Sequence, residues 1–398
     1  MMQTLPTRKQ ILETLFEIWK PEPATERIPV DTARGRVSAR SYQSAISIPV
    51  VRAAAMDGVA VSSHRFLHGV PDTSAWKWGE DFCRADTGDD FDDRFDAIIP
   101  IESVTISDNR TLTIDSDVSV QPQMNVRPCG SIIKHGANLV PANRLLRSFD
   151  LACLTMGDIL EIDVYKKPRV AFLPTGSELV PPGFPVSRGK NIDSNSSLAK
   201  HMLLEMGADP ILYPITQDCR ESLVANLEHA LCSADVIILN GGSSKGEEDF
   251  NARILEEHGS VLFHWAAAAP GKPICVAIIG NKPVINLPGP PIAVLYGMDW
   301  CIRAIVNHFL HLPMPRRQTI TATLTEEIVS PPDMEILCMM DIEYRDGRYL
   351  TKQKPWRGKT SMPDTLSAGA FYITELGTGI RHAGETIEVT LLRGKEEF

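Results

Sequence analysis

No two of the eight cysteines in this 398-residue chain stand at Cys-x-x-Cys spacing. They are scattered at Cys83, Cys129, Cys153, Cys219, Cys232, Cys275, Cys301 and Cys338. That argues against a zinc ribbon or a disulfide framework, and for reduced thiols in a cytosolic protein. Long hydrophobic runs are missing too, and none reaches the length that spans a bilayer. The N-terminal MMQTLPTRKQILETLFEIWK has no signal-peptide pattern. Excess positive charge is also absent. With 40 Lys and Arg against 50 Asp and Glu, the net charge of -10 argues against the basic face of a nucleic-acid binder.

What is present suits a globular protein. Hydrophobic residues make up 43% and charged residues 23%. The length exceeds one ordinary core and implies two to four domains. Residues 1 to about 40 read as helical, with Ile11, Leu12, Leu15, Phe16 and Ile18 at helical spacing. From 41 to about 150, short β-like runs alternate with Asp-Asn and Asp-Asp turns. VPANRLLRSFDLACLTMGD then reads as a turn and a helix ending near Gly157. Beyond Pro168, strands and helices alternate for about 140 residues, and DVIILN has a continuously apolar centre, as a strand buried on both faces requires. This predicts a multidomain α/β chain whose central domain is a doubly wound, mostly parallel sheet. After LPMPRRQ the pattern is strand-like to the end.

In such a sheet, ligands bind at the carboxyl ends of the strands. Three polar turns fall there: Thr175 to Glu178, Asn240 to Asp249, and Leu287 to Pro291. Gly241 and Gly242 follow a buried strand, and Asp249 lies at a helix start. Glycine allows close backbone approach, and helix N-terminal amides bind phosphate. The pair is neither a P-loop nor GxGxxG, and a plain turn followed by capping acids explains this stretch equally well. Thr175, Gly176, Ser177 and Glu178 place a carboxylate beside hydroxyls, which suits a divalent cation or a simple turn cap. Gly289 sits among prolines that stiffen a loop and leave carbonyls free. Asp57-Gly58 reads first as a turn, and Thr87-Gly88 with the acids after it as a solvated loop.

Together these stretches resemble the MoeA family, the molybdopterin molybdenumtransferases, which includes the C-terminal part of gephyrin. Nine motifs agree in order along the chain, from Gly35 to Leu295. GRVSAR resembles the family's GR-V-A, AAAMDGVAV its SAMDGYA, and DTGDDFDDRFDAIIPIE its TG-P-P-GADAVV-E. NVRPCGSIIKHGANLVPANRLL resembles N-R-GED-GA-L-G-L, PTGSELV resembles TGDEL, and NIDSNSSLAKHMLLEMGAD resembles DSN-L-LG. NGGSSKGEEDF resembles SGGVS-GE-DY, APGKPICVAI resembles KPGKP, and NLPGPPIAVL resembles LPGNPVSA.

The resemblance implies an elongated four-domain chain. A helical linker domain would comprise 1-40 and 140-166, with a β-rich domain inserted at 41-139. A molybdopterin-binding α/β domain would occupy 167-312 and a β-barrel 313-398. It implies a cytoplasmic homodimer with no nucleic-acid or membrane partner, whose site lies between the α/β domain of one subunit and the β-rich domain of the other. The implied reaction inserts molybdate into adenylylated molybdopterin with release of AMP, assisted by Mg2+. A MogA-like adenylyltransferase and recipient molybdoenzymes would be its partners. Position by position, Asp57, Thr87, Glu178, Asp218 and Asp249 match the catalytic cleft, and Glu178 and Asp249 the metal. Gly241, Gly242, Ser243, Ser244 and Lys245 match the pterin-phosphate loop. Thr175, Gly176, Gly271, Lys272, Pro288, Gly289 and Pro291 match the surrounding binding loops.

The sequence departs from the pattern in places. Trp265 and Ala269 stand where the family carries lysines, Pro290 replaces the Asn of LPGNP, Ser177 an acid, and Val59 a tyrosine. The serine-rich loop near the end is altered to TSMPDTLSAGA. These changes motivate a second reading, a catalytically impaired paralogue that carries molybdopterin or its cofactor form. A gephyrin-like peptide-binding scaffold is a third.

Overall fold

The computed structural model describes residues 4–242, 250–355 and 362–392. The chain divides into two compact units, Thr25–Tyr165 and Met1–Ala24 with Lys166–Phe398.

The first helix, α1 (Arg8–Ile18), starts at a capping box in which Thr7 and Gln10 satisfy each other's backbone amides. It is shorter than the helical segment expected for 1–40. Pro21 and Pro23 remove backbone donors just beyond it, and β1 (Thr25–Pro29) instead pairs antiparallel with residues 161–165. α1 falls in the unit made of Met1–Ala24 and Lys166–Phe398. Its buried face (Ile11, Leu15 and, just beyond, Trp19) finds its partners there. The Trp19 indole donates to Asn281 O at 3.2 Å, and the His308 ring stacks on Phe16 at 4.1 Å. Arg8 holds both carboxylate oxygens of Glu335, at 3.0 and 3.1 Å.

Within Thr25–Tyr165, β2 (Gly58–Val61) lies between β3 (Phe82–Ala85) and β4 (Ala97–Pro100). All four β2 residues are buried, and Val59, Val61, Phe82 and Ile99 share one core. α2 (Ser148–Met156) stops at Gly157, and β5 (Glu161–Tyr165) closes the unit against β1.

The second unit continues with β6 (Arg169–Pro174), α3 (Asn195–Glu205), β7 (Asp209–Leu212), α4 (Arg220–Ser233) and β8 (Val236–Asn240). It goes on through α5 (Phe250–His258), β9 (Ser260–His264), β10 (Ala268–Ala269), β11 (Cys275–Ile279) and β12 (Lys282–Leu287). The six-stranded sheet runs β7-β6-β8-β12-β11-β9. Its first four strands are parallel and its last two antiparallel. β8 is buried at every residue because helices cover both faces of a doubly wound sheet. The helix after β12 begins with Pro291 in its first turn and runs as α6 (Pro291–Gly297), a π turn at Met298–Ile302, and α7 (Arg303–Phe309).

The C-terminal part is a closed five-stranded barrel. β13 (Thr319–Leu324), β14 (Glu335–Arg345), β15 (Arg348–Gln353), β16 (Ala370–Ile373) and β17 (Thr386–Leu391) pair in the ring β14-β15-β13-β17-β16-β14. Asp346 and Gly347, both at positive φ, make the tight β14–β15 turn. β10 runs parallel to the start of β14 and ties the α/β domain to the barrel.

Candidate active site

The carboxyl ends of β6, β8 and β12 are adjacent, and backbone bonds tie their turns together. The Thr175 N–H and hydroxyl both donate to Asn240 O, at 2.8 and 3.0 Å. The Gly241 N–H donates to Leu287 O at 2.9 Å. Gly241 has φ +118°, and a Cβ there would lie 2.4 Å from Thr175 O, so the two turns approach this closely only because residue 241 is glycine.

At the β6 end, Ser177 and Asp218 hold each other. The Ser177 N–H donates to Asp218 Oδ2 at 2.8 Å, and the Asp218 N–H donates to Ser177 Oγ at 3.3 Å. Lys190 Nζ donates to Ser177 O at 2.6 Å. The exposed Glu178 carboxylate folds back over Gly176, where a Cβ would stand 2.6 Å from it.

The carbonyls of the proline loop, expected to be free, are occupied. Asn240 Nδ2 donates to Leu287 O and Pro288 O at 3.2 and 3.1 Å, and Asn195 Nδ2 donates to Gly289 O at 2.8 Å. These two asparagines bond to each other at 2.9 Å, and Asn251 and Asn286 form a second pair at 3.0 Å. All four are buried. Sequence reasoning assigned them no role, although Asn240 opens one of the three polar turns and Asn286 immediately precedes another. A polar residue at the end of an otherwise apolar strand, as in DVIILN and PVINL, is the signal that could have found Asn240 and Asn286.

Gly271 and Lys272 lie beside this cluster. A Cβ on Gly271 would be 3.8 Å from Ala293 O in α6. The Lys272 ammonium sits over the Trp265 ring, 5.3 Å from its centre. Ala269 faces elsewhere. It pairs with Ile336 of β14 and packs against the barrel core, so a lysine at 269 would enter apolar surroundings.

In the Thr25–Tyr165 unit, Asp57 and Thr87 meet across thirty residues. The Thr87 N–H and hydroxyl both donate to Asp57 Oδ1, at 2.6 and 2.8 Å. The amide first, then the hydroxyl, hold the Asp57 carboxyl below the usual aspartate range, and Arg84 adds to this. Gly58 is not a turn residue, since it opens β2 and pairs with Ala85 and Pro100.

Of the remaining candidates, Pro291 opens α6, while Ser243, Ser244, Lys245 and Asp249 lie outside the described residues. Among the described residues, no three His, Cys, Asp or Glu gather as a metal cage. No described helix is long and apolar enough to cross a membrane.

An α/β domain with its turns gathered at the carboxyl ends of neighbouring parallel strands is the architecture in which open α/β sheets bind their ligands. Residues 171–308 match the family described as "Probable molybdopterin binding domain". Residues 5–156 match "MoeA N-terminal region (domain I and II)". The chain belongs to the MoeA family. It is 26% identical over 392 residues to the molybdopterin molybdenumtransferase of Haemophilus influenzae, covering 92% of this chain and 93% of that one. It is 30% identical over 292 residues to that of a Nostoc species, covering 68% and 66%. A molybdopterin biosynthesis MoeA protein from Pyrococcus horikoshii superposes with a TM-score of 0.79 at 26% identity, covering 98% of this chain and all of that one.

Proposed function

We propose that this MoeA-family transferase of molybdenum cofactor biosynthesis inserts molybdate into adenylylated molybdopterin and releases AMP. The observation that carries the reading is the convergence of the 175–178, 240–242 and 287–291 turns in the domain matching the molybdopterin-binding family. Thr175, Gly176, Gly241, Gly242, Pro288, Gly289 and Pro291 would line the pterin-phosphate side, with Ser243, Ser244 and Lys245 completing the glycine loop. Gly271 and Lys272 would supply a flexible approach and one positive charge, with the lysine placed by Trp265. Asp218 would order the 175–178 turn through Ser177, leaving Glu178 exposed. The Asp57–Thr87 pair would present a fixed negative charge in its own unit.

Mg2+ is proposed at Glu178 and Asp249. The donor chemistry at the β6 end supports this: the exposed Glu178 carboxylate stands beside the Thr175 and Ser177 hydroxyls, and oxygen donors suit a cation that uses one or two carboxylates, water and substrate phosphate. When bound, the ion would polarise phosphoryl oxygens and offset charge between the acidic loop and its anionic ligand. We further propose a cytoplasmic homodimer. A monomeric mass by light scattering would count against it. A MogA-like adenylyltransferase would supply the adenylylated substrate, and apo-molybdoenzymes would receive the product.

The test is complementation of a strain lacking its own transferase, scored by molybdoenzyme activity. Restored activity is expected. No restoration at verified expression would sink the reading.

A further inference from the structure

The two asparagine pairs lie on opposite faces of the sheet. Asn240 stands opposite Leu287 in the β8–β12 register, and Asn286 stands opposite Leu239. Successive residues of a strand point to opposite faces, so Asn240 and Asn286 project away from each other. Asn195, from α3, meets Asn240 on one face, and Asn251, from α5, meets Asn286 on the other. The turn that starts at Gly241 is thus gripped from both sides.

The Asn286 side is the less expected. Its strand neighbours Leu239 and Cys275 belong to an apolar core cluster with Leu227, Ala252 and Ile254. Asn286 and Asn251 are both 0% exposed, so neither reaches a ligand. Asn286 Nδ2 and Asn251 Oδ1 have no partner among the described residues. Each such buried group costs stability. A leucine at 286 would suit these surroundings better. What the asparagine adds is one acceptor, its Oδ1, which holds Asn251 Nδ2 at 3.0 Å. That same nitrogen donates to Gly241 O at 2.9 Å. A Cβ on Gly242 would lie 2.7 Å from the Asn251 amide, so the side chain also fills the space beneath the turn.

We infer that Asn286 and Asn251 are positioning residues. Together they fix the Gly241 peptide by its carbonyl, so that the other end of that peptide, the Gly242 N–H, faces the anionic end of the pterin substrate. The inference deepens the function proposed above and rests on it for the identity of the ligand. A stabilising role predicts that removing Asn286 weakens the fold. A positioning role predicts that an isosteric apolar replacement spares the fold and loosens the turn.

The experiment compares Asn286→Leu and Asn251→Ala with the unmodified full chain by thermal melting, by hydrogen exchange of the 236–242 segment, and by equilibrium binding of adenylylated molybdopterin. Asn286→Leu is expected to keep or raise the melting temperature, speed exchange in that segment, and weaken binding on the order of tenfold. Asn251→Ala should loosen the same segment, and the double variant should be no looser than Asn251→Ala alone, because one device is lost once. Unchanged exchange in both single variants overturns the inference. So does faster exchange with unchanged affinity. If the unmodified chain fails to bind this substrate while the variants still loosen the turn, the functional reading falls and the positioning of Gly241 stands.

Discussion

Asp57 shows how a single contact gives a residue its chemical character. Its carboxylate accepts two hydrogen bonds from Thr87, and both favour the charged form. The folded-state pKa is therefore depressed. The linked stability is fully present above the unfolded aspartate value, near 3.8, and is lost as pH falls through the folded one. Thr87→Val removes the hydroxyl but keeps the amide. A carboxyl-carbon NMR titration should then show Asp57 moving part of the way back toward its ordinary value. No movement would mean that the hydroxyl is not bonded to it. Ala269 gives the opposite lesson. Its family counterpart is a lysine, so the alanine reads in sequence as lost pocket charge. The structure seats it against the barrel core. Ala269→Lys should lower stability by about 1–3 kcal/mol without tightening molybdate binding, as melting and titration would show. A gain in affinity would contradict that placement.

Elements carry the next layer. α1 docks through Phe16 and Trp19 against His308, whose pKa is lowered chiefly by burial. The unfolded chain binds the proton more readily, so this contact weakens as pH falls from about 6.5 through the lower folded value. Hydrogen exchange in α1, corrected for the intrinsic slowing of amide exchange at lower pH, should rise between pH 7.5 and 5.5 in the unmodified chain, and less in His308→Gln. Equal rises in both would remove His308 as the cause. The elements also show what the sequence made legible. β8 was readable because five buried residues in a row leave few alternatives to a central strand. The helices of the second unit were readable as part of the strand–helix alternation beyond Pro168, and the barrel only as a strand-like pattern after LPMPRRQ. α1 ends sooner than the helical segment expected for 1–40, because Pro21 and Pro23 cannot continue a helix. The asparagine pairs were not legible, since a buried amide is recognisable only by its partners, and these lie 35 and 45 positions apart. Asp57 and Thr87 were named through family resemblance; spacing alone suggested a turn and a solvated loop.

For the whole molecule, resemblance and structure join at different strengths. The family models match residues 5–156 and 171–308, and the similarity to the Haemophilus influenzae relative covers 92% of the chain. The site residues rest on geometry within each unit. Glu178, exposed beside a turn that Asp218 and Lys190 hold in place, is the described residue on which the proposed chemistry depends most. The most direct measurement is AMP release by the purified chain from adenylylated molybdopterin, with and without molybdate, in Mg2+. The account predicts release that requires molybdate, and a loss of about a hundredfold in Glu178→Gln with substrate affinity largely kept. Tight binding of the substrate with no AMP formed in the presence of molybdate and Mg2+ would contradict it.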